Sequence, residues 1–264
     1  MRWLLLCSFF IVSLYAAKGV EKVSLQLDWK YLGNIKIYHP AYVGDVNVNV
    51  TMTDGAASVG TTAIGTAFNM NLASTTTIDT TALGTHNDKI SGTTGADTIS
   101  TGAGNDTINS GDGNDIINAG TGNDTIDAGI GNDSITLDIN SADVINGGAG
   151  TDTLIFTNTG SINLSGISSI TNIEKIDMSG NGAQTLGGLT MDQIFNIADS
   201  TSATTRIFTL DGDAGDVLGA VTKGSWSGPA GVANGSYTDH VYTKTGGYSL
   251  TLKVETVITD SSGL

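Results

Sequence analysis

The chain of 264 residues is poor in several residue types: one cysteine, two prolines, three tryptophans, and only 11 lysines and arginines against 26 aspartates and glutamates. With Cys7 alone, no disulfide can support the fold, and a body without thiols suits a chain that travels unfolded and folds later. The formal charge of −15 excludes nucleic acid as a default partner and disfavours anionic membrane surfaces. Catalytic sets are missing too. His39, His86 and His240 are isolated, and none begins the H-E-x-x-H helix of a zinc protease. Gly224-Ser-Trp-Ser-Gly228 places Trp226 where a lipase needs its serine. His240 beside Asp239 reads as a surface pair on a strand, and no paired carboxylates outside the repeats suggest glycosidase chemistry. Charged residues make up only 14% while Thr, Ser, Asn and Gly abound, as in a β-rich extracellular chain rather than a cytosolic enzyme.

What is present is a period. Asp88, Asp97, Asp106, Asp115, Asp124 and Asp133 recur every nine residues, each followed two positions later by isoleucine, from Ile90 to Ile135. A short fixed period signals a solenoid, in which each repeat buries its apolar residue only against its neighbours. With the aspartate at position six, positions two and four are mostly glycine: Gly102 and Gly104, Gly111 and Gly113, Gly120 and Gly122, Gly129 and Gly131. Glycine turns the chain sharply and aims carbonyls inward. Positions seven to nine, such as Thr107-Ile108-Asn109, alternate polar, apolar, polar, which suits a three-residue strand. One nonapeptide is a turn plus a strand, and two make a flattened coil of about eighteen residues. Asp88, Asp106 and Asp124 then stack along one edge, and Asp97, Asp115 and Asp133 along the other.

Coils stack roughly 4.8 Å apart. Two carboxylates about 5 Å apart repel by roughly 3 kcal/mol at an effective dielectric of 20. Several such contacts outweigh a stability of roughly 5–15 kcal/mol. A cation must sit between the turns, and carboxylate plus carbonyl oxygens in a flexible turn select Ca²⁺ over Mg²⁺. Without it the same composition reads as disordered, so metal binding and folding are coupled.

These residues resemble the repeat-in-toxin (RTX) nonapeptide, G-G-x-G-x-D-x-U-x with U a large apolar residue, a known calcium-binding repeat. The resemblance covers residues 84–155 and implies a parallel β-roll with several Ca²⁺ ions held by the aspartates and main-chain carbonyls. Carried over position by position, it makes Asp88, Asp97, Asp106, Asp115, Asp124, Asp133 and Asp152 the metal residues, with the eight glycines named above. Position one departs from glycine at Thr101, Ser110, Ala119 and Ala128, and His86 stands where the first repeat should have glycine. After Asp133 the phase slips by one to Asp143-Val144-Ile145, a weaker ligand position, and recovers in Gly147-Gly148-Ala-Gly150-Thr-Asp152-Thr-Leu154.

Residues 1–17 read as a signal-peptide-like segment, with an uncleaved membrane anchor as the alternative. Within a β-rich segment over 18–83, residues 21–31 resemble the first strand of periplasmic substrate-binding proteins of the thiamine-precursor type. Ile78-Asp79-Thr80-Thr81-Ala82 resembles the closing strand of bacterial immunoglobulin-like repeats, so a truncated module of that kind is expected before the roll. Over 156–264 a β-rich capping region follows. Leu164, Ile167, Ile170, Ile173 and Ile176 continue as short rungs. Thr190-Met-Asp-Gln193 has capping-box form and predicts one helix over Leu189–Ala198. Strands are expected at 205–210, 238–244 and 248–258. Asp211, Asp213 and Asp216 make either a polar turn or an extra Ca²⁺ site.

The C-terminal stretches resemble giant RTX adhesins exported by type I systems, whose secretion signal falls here within 215–264. The fold expected is all-β, a parallel β-roll followed by a β-rich region with one short helix. The function expected is a non-catalytic, extracellular calcium-binding protein, part of an adhesin on or outside a Gram-negative cell. Its partners would be calcium, the type I secretion machinery and a cell-surface or glycan ligand. Alternatives are the secretion module of a hydrolase lacking its catalytic domain, and a surface-layer or biofilm protein.

Overall fold

The computed structural model describes residues 87–137, 142–156, 160–164, 169–180, 182–198, 204–228 and 231–260 and, as backbone, six short strands between 23 and 79. Strands dominate, and successive ones alternate between an 8-stranded and a 12-stranded sheet. This is an all-β parallel β-roll, built as the period requires. Thr107–Gly111 on one sheet lies between Lys89–Thr93 and Thr125–Asp127, one coil away on either side. Ile116–Gly120 on the other lies between Thr98–Ser100 and Ser134–Leu137.

The register explains the isoleucines. Ile90, Ile108, Ile126 and Ile145 align across one sheet, and Ile99, Ile117, Ile135, Leu154, Ile176 and Leu210 across the other. Every one of these is 1% exposed or less, while the flanking Thr107 and Asn109 face solvent. A three-residue strand buries one side chain and has no core of its own, so apolar area leaves water only where coil lies on coil.

An immunoglobulin-like module would pair its strands antiparallel. Upstream of the nonapeptides the strands pair parallel instead, with Met70 in register with Ile90 and Ile78 with Ile99. The strands between 23 and 79 therefore extend the two sheets of the roll. The signal-like segment over 1–17 lies outside the described residues.

Beyond Phe156 the coils widen while the second sheet continues through Lys175–Asp177, Thr205–Asp211 and Tyr248–Glu255. The added chain forms a third parallel sheet of Gly160–Asn163, Gln184–Gly187, Val217–Leu218 and Thr259–Asp260. The expected short rungs are there, with Ile170 and Ile176 on strands and Leu164 and Ile173 buried; Ile167 lies outside the described residues. Tyr237–Lys244 then folds back antiparallel on Tyr248–Glu255, and Val232–Asn234 pairs antiparallel with it to end the sheet.

The helix runs Met191–Ile197 behind the expected capping box: Thr190 Oγ1 accepts from Gln193 N at 3.1 Å, and Gln193 Oε1 accepts from Thr190 N at 2.8 Å. Its buried face is Met191, Ile194, Phe195 and Ile197. Trp226 anchors it, packing on Phe195 at 5.2 Å and donating its Nε1–H to Asp192 at 2.8 Å. His240 is not at the surface as its neighbour Asp239 suggested. Strand alternation turns His240 inward, 4% exposed, and leaves Asp239 to pair with Lys253 at 3.2 Å.

The core ladders make a direct prediction. Ile117→Ala, at the centre of the second ladder, should lower the unfolding free energy in saturating calcium by about 2–5 kcal/mol, and Ile117→Val by about 0.5–1.5 kcal/mol. Chemical denaturation followed by circular dichroism measures both.

Candidate metal centre

Each nonapeptide aspartate sits at the end of its turn with its side chain folded inward. Asp97, Asp106, Asp115, Asp124 and Asp133 are all 1% exposed and Asp152 is 0%. The two carboxylate oxygens do different work. Oδ1 accepts the main-chain N–H of the aspartate one coil earlier: Asp88 to Asp106 at 2.7 Å, Asp97 to Asp115 at 2.7 Å, Asp106 to Asp124 at 2.8 Å, Asp115 to Asp133 at 2.8 Å and Asp133 to Asp152 at 2.9 Å. This fixes the eighteen-residue coil and both edges of stacked aspartates. Oδ2 of Asp106, Asp115, Asp124, Asp133 and Asp152 is buried with no hydrogen-bond partner.

A buried carboxylate oxygen left bare is costly. The consequence is visible in acidity. Burial pushes Asp124 and Asp152 up to about 7 and Asp133 to about 6, with repulsion from neighbouring carboxylates adding to it. Burial, not the repulsion expected from the stacking distance, is the larger cause. Asp106 and Asp115 are also raised by burial, but there the hydroxyls of Thr101 and Ser110 oppose the shift. These are the position-one departures from glycine, and each hydroxyl gives its one proton to the coil that follows: Thr101 Oγ1 to the Ala119 carbonyl at 2.8 Å, Ser110 Oγ to that of Ala128 at 2.6 Å.

The turn glycines all have positive φ, from 86° at Gly120 to 149° at Gly131. At Gly122 and Gly131 a Cβ would stand 1.7 Å from the carbonyl oxygens of Gly104 and Gly113, so only glycine lets the turns stack. The carbonyls of Gly102, Gly111 and Gly129 each accept one N–H from the next turn, from Thr121, Ile130 and Ala149. A carbonyl has a second lone pair. The donors on offer are therefore aspartate Oδ2 and turn carbonyls, hard oxygens of the kind Ca²⁺ takes. Among the described residues no three His, Cys, Asp or Glu side chains cluster, so the turn carbonyls are the further oxygens beside each carboxylate. The residues fit a calcium ion, and the bare oxygens are the observation that says so.

Not every sequence-derived position is equivalent. Asp97 Oδ2 accepts from Thr93 N at 2.7 Å and from Thr93 Oγ1 at 3.0 Å. Thr93 occupies position two, where later repeats have glycine, and its amide and hydroxyl fill the place that stays bare elsewhere. Asp88 stacks in line, donating its N–H to Asp106. Asp143, read as a weak position because of the phase slip, stands in the same ladder: its Oδ1 accepts Asp124 N at 2.8 Å, nineteen residues apart. The coil absorbs the extra residue without breaking the stack. Asp211, Asp213 and Asp216 do not converge on an ion site. Asp216 Oδ2 accepts Asp213 N at 2.7 Å, Asp213 accepts Gly180 N at 2.6 Å, and Asp211 pairs with Lys175 and Tyr237, so the polar-turn reading holds.

One feature escaped the sequence reading. Asn105, Asn114, Asn123 and Asn132 at position five form a second ladder, each Oδ1 accepting an N–H from the coil that follows, as Asn105 does from Asn123 at 2.9 Å. Aspartates reach back along the stack and asparagines reach forward. The repeated Asn-Asp pair was the available signal.

Residues 84–117, 110–139 and 140–156 match the family model of the RTX calcium-binding nonapeptide repeat. This stretch is an RTX repeat domain. No curated protein and no solved structure matches the chain. RTX repeats bind Ca²⁺ at multiple sites, so Ca²⁺ is the cofactor of this repeat domain. RTX repeats are typical of secreted proteins, and among the described residues no helix is long and apolar enough to cross a membrane.

Two outcomes follow for the RTX domain. In excess chelator its β-structure should increase as pH falls from 8 to 5. The raised aspartates stabilise the fold only when protonated, and that contribution is lost as pH rises through about 6–7. Loss of β-structure on acidification in chelator would contradict this. Thr93→Gly removes the hydroxyl contact to Asp97 Oδ2 while keeping the amide one, and should strengthen Ca²⁺ binding at this turn, read by equilibrium dialysis.

Proposed function

We propose that Asp106, Asp115, Asp124, Asp133 and Asp152 hold Ca²⁺ through their bare Oδ2 atoms, together with carbonyls of the turn glycines, and that calcium makes the roll fold. Asp88 and Asp97 lie in the same ladders, with Asp97 already served by Thr93. When bound, the ion supplies positive charge and a flexible oxygen-coordination shell. The chain's own part is to present one desolvated carboxylate oxygen per turn and to hold it there through the Oδ1 ladder.

The reading that follows is a non-catalytic folding module of an adhesin-like surface protein, secreted by a Gram-negative cell. Cytosolic calcium would leave the turns empty and the chain threadable through a type I exporter. Extracellular sites with affinities of roughly 10⁻⁴–10⁻³ M would fill on emergence and stabilise the fold by mass action. The five buried, partnerless aspartate oxygens carry this reading. The formal charge of −15 supports it, since a metal-free coil cannot neutralise its own repeats. Surface or glycan binding belongs to the same reading, as does a boundary between the roll at 84–155 and the wider coils at 156–264.

A calcium titration of the full chain followed by far-ultraviolet circular dichroism tests the proposal. A cooperative gain of parallel β-structure in the submillimolar to millimolar range is expected, reversed by chelator. Asp124→Asn, which keeps the Oδ1-type acceptor but loses the charge, should raise the midpoint at least several-fold. A chain equally β-structured in excess chelator at pH 8 would overturn it.

A further inference from the structure

The aspartate ladder does not stop where the nonapeptides stop. Asp152 ends the last repeat, yet its main-chain N–H is taken by a carboxylate: Glu174 Oε2 accepts it at 2.8 Å, twenty-two residues on. The aspartates accept the corresponding N–H groups at 2.7–2.9 Å. Glu174 therefore occupies the aspartate register one coil beyond the family match, in a segment with no glycine turn. Between the strand Ser169–Thr171 and Glu174 stand only Asn172 and Ile173. Ile173 is fully buried, so the chain cuts across the edge rather than looping around it, and the longer glutamate side chain makes up the reach.

Two oxygens border one space at this cut corner, and the Glu174 carboxylate is held next to them on the Asp152 amide. Asp152 Oδ2 is buried and has no hydrogen-bond partner, in a residue that is 0% exposed. Asn172 is the one non-glycine residue with positive φ among those described, 56°, and its carbonyl turns towards Gly147. A Cβ on Gly147 would stand 1.9 Å from that carbonyl oxygen and 2.7 Å from Asp152 Oδ2, so both oxygens border the space beside this glycine, as Ser110 O and Asp97 Oδ2 do beside Gly92; here, unlike there, the aspartate oxygen is bare. The charge of Glu174 adjoins them and is among the causes that raise Asp152. The next residue, Lys175, points elsewhere and pairs with Asp211.

We propose that Asp152, Glu174 and the main-chain carbonyl of Asn172 form a terminal Ca²⁺ site that closes the ladder outside the nonapeptide pattern. At the ion assigned to Asp152, the Glu174 carboxylate stands in for the carbonyls that a following glycine turn would offer. The donors are all oxygen, one is desolvated and bare, and the class of ligand is a hard divalent cation. The proposal rests on the reading of the aspartates as calcium ligands, and the experiment separates the two.

Glu174→Gln keeps an acceptor for the Asp152 N–H and loses only the charge. Bound Ca²⁺ is counted on the full-length chain by equilibrium dialysis, and β-structure is followed by circular dichroism. The variant should fold in saturating calcium and bind one ion fewer than the wild type. An unchanged count with unchanged affinities would reduce Glu174 to a cap for one amide and overturn the terminal site. A wild type that binds no calcium would overturn the parent reading as well. Should Glu174→Gln fail to fold, Glu174→Asp decides: its charge is kept but its reach is shorter, so one ion should bind at least tenfold more weakly, and wild-type affinity at every site would count against the proposal.

Discussion

One desolvated carboxylate oxygen per turn governs this fold. From Asp106 to Asp152, each nonapeptide aspartate spends Oδ1 on the amide of the preceding coil, which sets the distance and register of the stack, and Oδ2 is left buried beside it. The structural bond and the electrostatic cost cannot be separated. A coil held this tightly must bury a charge, and a buried charge must be protonated or paired. Burial raises these groups more than mutual repulsion does, so the need for a counter-ion is a property of each turn with a bare oxygen rather than of the array.

The rest of the repeat serves that contact. Glycine at position four allows one turn to lie on the carbonyl of the turn one coil before, as Gly122 does on Gly104. Asparagine at position five reaches forward as aspartate reaches back, so both polar side chains at the end of a turn satisfy main-chain donors of neighbouring coils. The isoleucine two positions on fills the interior between the sheets. Nine residues therefore encode two side-chain ladders, one apolar ladder and a turn, and none of these exists in an isolated repeat.

Much of this was legible because the chain repeats. The period gave the solenoid and its stacked edges, the resemblance it carries implied the parallel roll, and the capping box at Thr190 located the helix to within two residues at its start and one at its end. What stayed hidden has physical causes. Register across long coils is set by where chain is inserted, so the strands before the nonapeptides could not be joined to the roll by pattern alone, although Ile78 proves to align with Ile99. The phase slip before Asp143 looked like a break, yet a stack anchored at its turn-end aspartates tolerates an extra residue elsewhere in the coil. Thr93 looked like an ordinary departure from glycine. Only its contacts with Asp97 reveal that a side chain can take the place left bare in other turns.

The two parts of the chain neutralise carboxylates by different means. In the wide C-terminal coils lysines do it: Lys175 with Asp211, Lys244 with Asp192 at 2.6 Å, Lys253 with Asp239 at 3.2 Å. Between residues 84 and 155 there are 11 aspartates and a single lysine, Lys89, whose side chain is exposed. A lysine is attached to the chain and neutralises wherever the chain is. A diffusible ion neutralises only where its concentration permits. The second sheet runs without interruption through both regions, from Thr98–Ser100 to Tyr248–Glu255. One continuous ladder thus joins coils whose charge is balanced by the sequence itself to coils whose charge is balanced by the surroundings. Replacing the bare oxygens with built-in counter-ions would remove that dependence without altering the period, the glycines or the core. On the proposed reading, the near absence of basic residues from the repeats is therefore what makes folding of the roll conditional on calcium.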